Sequence, residues 1–147
     1  MRASDVPERL ANLELAAFVR CPWVEGPDVH ERRVAIISTA GLMQRGDRPF
    51  SFSAADYRII DAESEADLLM SHISTNFDRS GFLQDVNVVF PLERLRELAV
   101  DGEIGSVARY HYSFMGATDP ERMQASARDL ANVLGGDGVD LALLVPV

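Results

Sequence analysis

Residues 33 to 40 read RVAIISTA, and this run decides the fold. It is apolar at consecutive positions, rich in β-branched side chains, and stops at Gly41. A strand that alternates has one wet face; a strand with no alternation is covered on both faces, as in a parallel sheet. Val139 to Val145 (VDLALLV) has the same character. Between these two runs, Tyr57–Asp61 (YRIID), Leu68–Ile73 (LLMSHI) and Val107–Phe114 (VARYHYSF) read as shorter strands. Pro91 opens a helix with an apolar stripe at Leu92, Leu95, Leu98 and Ala99, stopped by Asp101-Gly102. Asp119 caps a second helix lined by Met123, Ala127, Leu130, Ala131 and Leu134, ending at Gly135-Gly136. Strands alternating with helices give an α/β fold: a mainly parallel open sheet flanked by helices. The chain is expected to form a single domain over residues 1–147, with a helical lead-in (Asp5 to Arg20) and loop over residues 1–32 and the core over 33–147.

Composition narrows the function classes. The chain has 147 residues, 47% of them apolar and 25% charged, and a net charge of −9. All fourteen basic residues are Arg. An acidic chain without a basic run is a poor nucleic-acid binder, and a chain without Lys forms no Schiff base of its own. The all-Arg usage reads as genome composition rather than as a site. Cys21 is the one cysteine, which rules out an internal disulfide and reads as a small hydrophobe rather than a nucleophile. No signal peptide and no apolar run of membrane-spanning length is present, so the expected location is cytoplasmic, with no membrane partner. The loop after Ala40 (GLMQRGDRPF) carries glycines without a dinucleotide or P-loop pattern.

The segment Ser74 to Asn87 holds the densest set of side chains that bind or ionise: Asn76, Asp78, Arg79, Gln84, Asp85 and Asn87. It shows little helical or strand periodicity, and structureless loops of about a dozen residues are usually functional. In a parallel sheet, ligands sit at the carboxyl ends of the strands. The loop after Ala40, the loop after His72 and whatever follows Val145 are therefore expected together, with His72 and Asp85 lining one concavity. Each residue has two readings. His72 orients substrate or moves a proton, or is a satisfied structural histidine. Arg79 grips a carboxylate, or pairs with Asp78. Asp85 and Asn87 face a pocket, or tie the loop to backbone amides. His111, between Tyr110 and Tyr112 on a strand, is more often structural than a ligand. A metal site from His72, Asp78 and His111 is a third reading, without support from their spacing; no metal is expected.

Several stretches together carry a resemblance. They are GDRPF at Gly46–Phe50, the His72 to Phe82 loop, DVNVVFPL at Asp85–Leu92 with Arg94-Leu95 and Glu97-Leu98, Gly102 to Gly105, HYSFMG at His111–Gly116, and the closing VDLALLVPV. Over roughly the last hundred residues the chain resembles the selenoprotein B family of glycine, sarcosine, betaine and D-proline reductases, and most of all the D-proline reductase branch. The resemblance implies an oxidoreductase subunit for reductive C–N bond cleavage. It implies a partner subunit whose pyruvoyl group holds a small amine or amino-acid substrate as an imine, no cofactor in this chain, and a selenocysteine or cysteine just after the strand matching Leu141–Pro146. His72, Asn76, Asp78, Arg79, Asp85, Asn87 and His111 are the candidate substrate- or partner-binding residues, and no catalytic residue falls within the 147.

An α/β unit normally continues from its last strand into a covering helix, so the fold is expected to be incomplete at the carboxyl end. The expected consequences are an inactive chain on its own, a homo-oligomer that covers Leu141–Val147, and a stop at an in-frame UGA codon, with a short paralogue as the counter-reading. The alternative function is a non-catalytic small-ligand-binding or subunit-interaction domain of the same fold.

Overall fold

The structure is a computed structural model that describes residues 24–74 and 78–147. The helix expected over Asp5–Arg20, Cys21 and Asn76 all lie outside the described residues. RVAIISTA forms the central strand β1 (Arg33–Ser38), with Val34, Ala35 and Ile36 buried. On one side β1 pairs in parallel with the last strand, Leu141–Val145, from Val34↔Leu141 to Ser38↔Val145. On the other side it pairs in parallel with two short strands in succession, Ser106–Val107 and then Tyr110–Phe114. Tyr57–Asp61 lies outside Tyr110–Phe114 and antiparallel to it. The sheet is thus mostly parallel, as the unalternating runs predict. Leu42–Gln44 and Leu68–Met70 make a separate antiparallel ribbon. In chain order the strands are β1, β2 (Leu42–Gln44), β3 (Tyr57–Asp61), β4 (Leu68–Met70), β5 (Ser106–Val107), β6 (Tyr110–Phe114) and β7 (Leu141–Val145). The helices are α1 (Ser80–Gln84), α2 (Leu92–Val100) and α3 (Gln124–Gly136).

Two apolar layers close the sheet. Val34, Ile36, Ile60, Phe90, Leu95 and Ile104 form one core under α2, with Leu92 and Ala99 packed against it. Leu98 turns toward solvent at the edge of the predicted stripe. Tyr112, Phe114 and Leu130 form the second core, completed by Met123 at the end of the 3-10 turn before α3 and by Leu134 on α3. Asp119 accepts the Glu121 N–H at 3.0 Å, and the first turn after it is a 3-10 helix before α3 proper. On β7, Leu141 and Val145 pack on the first core, while Leu144 on the other face is 67% exposed.

Three expectations need correction. The run Leu42–Gln44, read as loop, is strand β2. Its Gln44 side chain donates to Asp61 O at 3.1 Å and accepts from Asp61 N at 3.2 Å, copying a strand backbone. Ser74–Asn87 is not structureless: it holds α1 and a 3-10 turn at Val86–Val88. The strand expected over Val107–Phe114 is broken at Ala108-Arg109. Arg109 swings away so that its carbonyl accepts from Ala62 N at 2.8 Å.

That break leaves the Ile36 N–H of the central strand without a backbone acceptor, and His111 supplies one. The Ile36 N–H donates to His111 Nδ1 at 2.9 Å. The ring is fully buried and meets the Phe90 ring edge-on at 5.6 Å between centroids. Nδ1 must therefore be bare and the imidazole neutral. Burial, reinforced by the positive charge of Arg96, pushes the His111 pKa down to about 4.

The sign of the linkage follows. The unfolded histidine takes its proton near pH 6.5, the folded one only near 4, so this stability is complete above about pH 6.5 and is lost as pH falls toward 4. Urea unfolding at pH 7 and pH 5 should differ by about 2 kcal/mol from this group. His111→Phe should cost about 1–3 kcal/mol at pH 7 through the orphaned Ile36 N–H, and should remove this part of the pH dependence. An unchanged pH profile in that variant would show that His111 is not its source.

Candidate functional site

The carboxyl ends of β1, β6 and β7 converge on Thr39, Gly116 and Val147. Thr39 N donates to Val145 O at 3.0 Å, and Thr39 O accepts from Gly116 N at 2.9 Å. The Thr39 hydroxyl accepts from Val147 N at 2.8 Å and donates to Val147 O at 3.3 Å. One side chain thus holds both backbone groups of the residue leaving β7. A Cβ on Gly116 would stand 2.7 Å from the carbonyl oxygens of both Thr39 and Val147, so only glycine lets the three strand ends close up. Gly41 makes the next turn, at φ +64°. A Cβ there would lie 3.0 Å from His72 Cα. Its N–H donates to Phe114 O at 2.9 Å and its carbonyl accepts from Ser71 N at 2.8 Å. The backbone at His72 is therefore held against the exit of the central strand.

The GDRPF segment is brought to the same edge by Arg58. This nearly buried guanidinium donates Nε to Arg48 O at 2.7 Å, pairs with Asp56 at 2.9 Å, and lies 4.3 Å over the Phe50 ring. Arg58 in turn holds the Asp56 carboxyl below its ordinary range, against the opposing effect of burial. Phe50 N donates to Ser71 Oγ at 3.1 Å, and Thr118 Oγ1 donates to Ala54 O at 2.7 Å. These bonds suspend residues 50–54 over the end of β6. Between them and the His72 segment lies a cleft of about 430 Å³, lined by Phe52, Ser53, Ile73, Ser74, Met115 and Ala117. Ser53 has φ +58°, a left-handed conformation that non-glycine residues rarely hold outside sites that need it. Phe52 beside it is 84% exposed.

Phe52, Ser53 and Ala117 escaped the sequence reading, and Met115 entered it only within the HYSFMG stretch, not as a site residue. The signal available was SFSAA, a lone aromatic between serines after Pro49, which reads as ordinary loop. The residues that were named fall in several places. His72 is buried. Ser74 N donates to its Nδ1 at 3.2 Å, and burial together with the nearby Arg79 charge lowers its pKa, so it is neutral at pH 7. Arg79 donates Nη2 to the His72 carbonyl oxygen. Asp78 accepts from Ser80 N at 2.9 Å, which lowers its pKa and starts α1. Asp85 accepts from both Asn87 N and Asn87 Nδ2 at 2.9 Å, with its pKa lowered chiefly by the backbone bond. Asn87 Nδ2 also reaches Glu93 at 3.0 Å.

Asn87 lines a different hollow of about 230 Å³, with Gln44, Phe90 and Arg96, whereas Ile73 and Ser74 line the cleft at the strand ends. His111 sits in the core as an acceptor for the sheet. Among the described residues no group of three or more His, Cys, Asp or Glu side chains is placed to hold a metal ion. Nor is any described helix long and apolar enough to cross a membrane.

Residues 11–146 match the family described as glycine/sarcosine/betaine reductase selenoprotein B. The D-proline reductase subunit gamma of Acetoanaerobium sticklandii is 26% identical over 121 residues, 80% of this chain and 49% of that protein. In Peptoclostridium acidaminophilum, the glycine reductase complex component B subunit gamma is 30% identical over 123 residues, 80% of this chain and 28% of that one. The betaine reductase complex component B subunit beta of the same organism is 30% identical over 119 residues, 77% and 27% respectively. The chain thus spans about half the length of the first of these and under a third of the other two. No solved structure matches it. With nearly its whole length matched, the chain belongs to the glycine/sarcosine/betaine reductase selenoprotein B family.

Proposed function

We propose that this chain serves as a selenoprotein B-type subunit in the reductive cleavage of a C–N bond in a small amine or amino acid. The observation that carries the reading is convergence. The GDRPF segment, the His72 loop, Gly116 and the exit of β7 lie apart in sequence and meet at one edge of the sheet, around one cleft. The substrate, or the partner group presenting it, enters there, with Phe52, Ile73 and Met115 as apolar wall and the Ser53 and Ser74 hydroxyls as polar contacts. His72, Asp78 and Arg79 shape the loop beside it. Asp85, Asn87 and Glu93 fix the next turn through their own hydrogen bonds. The partner is a subunit whose pyruvoyl carbonyl holds the amine.

Cleaving the C–N bond consumes two electrons and two protons, which a selenol or thiol relays from a dithiol donor. The 147 residues offer only Cys21, which lies far along the chain from the motifs that carry the resemblance, and on this reading the relay group comes from outside them. The purified 147-residue chain with dithiol should turn over neither D-proline, glycine, sarcosine nor betaine, whereas an assembly with the carbonyl-bearing subunit and a selenol or thiol source should reduce one of them. Turnover by the chain alone that persists in Cys21→Ser would defeat this assignment. Binding without turnover in the full assembly would favour the non-catalytic binding domain.

The cleft itself can be tested by filling it. Ala117 is exposed on its wall, so Ala117→Leu adds volume there at little cost to folding. Substrate or partner affinity should fall by about tenfold, with the melting temperature unchanged. Unaltered affinity would move the binding face elsewhere.

The edge β7 is the other contact surface of the reading. Leu144 is 67% exposed on a face of β7, a strand whose outer edge pairs with no other described strand, which suits subunit association, and a homo-oligomer is the expected state. Leu144→Glu should lower the mass measured by light scattering to that of one chain. A wild-type chain that stays monomeric at every concentration tested would remove this edge from the assembly.

A further inference from the structure

The turn at the mouth of the strand-end cleft goes against its own local chemistry. The Ala54 N–H donates to the Ser51 carbonyl at 3.1 Å, which closes a tight turn with Phe52 and Ser53 at its two central positions. A turn with positive φ at its third residue favours glycine or asparagine there. Serine holds that position instead, at φ +58°, and before it stands an aromatic side chain that is 84% exposed. The core makes no use of that ring. Phe50 and Ala54, two residues to either side, form a small buried cluster with Met115, and Ile73 packs against it, while Phe52 stays outside. Local rules broken without gain to folding concentrate at functional positions.

The turn is held from both ends. Before it, the Phe50 ring lies under the Arg58 guanidinium and Phe50 N donates to Ser71 Oγ at 3.1 Å. After it, Ala54 O accepts from Thr118 Oγ1 at 2.7 Å. An aromatic side chain presented on a fixed turn loses little freedom when it is covered, which is what an interface anchor requires.

The cleft beneath narrows what covers it. Its described lining, Phe52, Ser53, Ile73, Ser74, Met115 and Ala117, holds no charged side chain. The two guanidinium groups that hold the flanking segments are committed, Arg58 to Asp56 and the Arg48 carbonyl, Arg79 to the His72 carbonyl. A free amino acid or betaine is a zwitterion, and enclosing its two charges needs a partner for each. Small-molecule sites also enclose most of their ligand, whereas the aromatic wall here stands open to solvent. An uncharged protein surface matches both features, and relatives in the family are named as subunits of reductases.

We infer that the strand-end cleft is a protein-docking face, in which Phe52 anchors an uncharged, apolar loop of the pyruvoyl-bearing subunit and free amino acid is not bound. The inference rests on the reductase reading above and names the occupant of its cleft.

The test has two arms, both on the full 147-residue chain. In the first, D-proline, glycine, sarcosine and betaine are titrated in turn and amide chemical shifts are followed. No saturable shift at Ser53, Ile73, Met115 or Ala117 is expected, and saturation there with any of the four overturns the inference. In the second, affinity for the purified pyruvoyl-bearing subunit is measured by calorimetry. Phe52→Ser should weaken it about thirtyfold with the melting temperature unchanged, and Phe52→Leu, which keeps an apolar anchor, should recover part of the loss. Val100→Ser removes a comparably exposed apolar side chain from the end of α2 and should leave affinity unchanged. Equal binding by Phe52→Ser and the wild type overturns the inference and leaves the reductase reading standing. Failure of the wild-type chain to bind the subunit at all defeats that reading, and this inference with it.

Discussion

The bond from Ile36 N–H to the bare Nδ1 of His111 is the constraint on which the sheet depends. A parallel strand between two neighbours must find an acceptor for every inward N–H, since a buried amide without one costs about as much as a whole hydrogen bond yields. β1 finds a continuous partner only in β7. On its other side β5 ends after two residues and β6 begins three later, and the imidazole bridges the gap. The same device recurs at the strand's exit. Ser38 Oγ donates to Val89 O at 2.8 Å, and Ser113 Oγ accepts from Leu42 N at 2.8 Å. Ser38, His111 and Ser113 are buried polar side chains that substitute for missing backbone, and each joins β1 or its exit to a different element.

This explains why the chain tolerates an interrupted neighbour at its centre. The interruption lets Arg109 leave the sheet and pair with Asp61 and Glu63, which ties the far strand β3 to the β5–β6 junction. It also lets β6 restart in register with the end of β1, so that Phe114, Met115 and Gly116 arrive beside Thr39 and Gly41. The strand-end cleft is therefore built from the consequence of a break at the other end of β6. A straight strand over 107–114 would carry the same residues past the edge in a different register.

The parts of the fold legible in the sequence were those governed by local pattern. RVAIISTA and VDLALLV lack alternation and are the two adjacent parallel strands; YRIID is β3 to the residue; Pro91 and Asp119 sit where the helices begin. What local pattern cannot carry is pairing at long range. Nothing in VARYHYSF announces that its second and third residues step aside, because the acceptor that makes the break tolerable, His111, serves an N–H 75 positions earlier. Leu42–Gln44 gave no strand signal because three residues are too few, and the ribbon exists only through Leu68–Met70. At the site, the polar density of the Asp78–Asn87 segment was read as chemistry. Much of it proves to be hydrogen bonds closing between neighbours, from Asp78 to Ser80 and from Asp85 to Asn87. Phe52 and Ser53, which line the cleft, had no density to reveal them.

The arginine usage has a structural side that composition alone hides. Arg32 Nε donates to Pro27 O at 2.6 Å, Arg58 Nε to Arg48 O, Arg79 Nη2 to His72 O, and Arg96 Nη2 to Ala62 O. Four side chains thus hold loops by their carbonyl oxygens, and of these only Arg58 adds a carboxylate partner among the described residues. A lysine ammonium is a compact, strongly hydrated point that loses more on leaving water; a guanidinium is weakly hydrated and offers five donors in a plane. Arg58 shows what the plane permits: two loop carbonyls, a carboxylate and an aromatic face are met at once by one side chain with little exposure. Lysine in its place could satisfy the carboxylate and would then leave Arg48 O or the Phe50 ring unmatched. The all-arginine habit, whatever set it in the genome, supplies this fold with pins for its loops. Two of them, Arg58 and Arg79, hold the segments that flank the strand-end cleft.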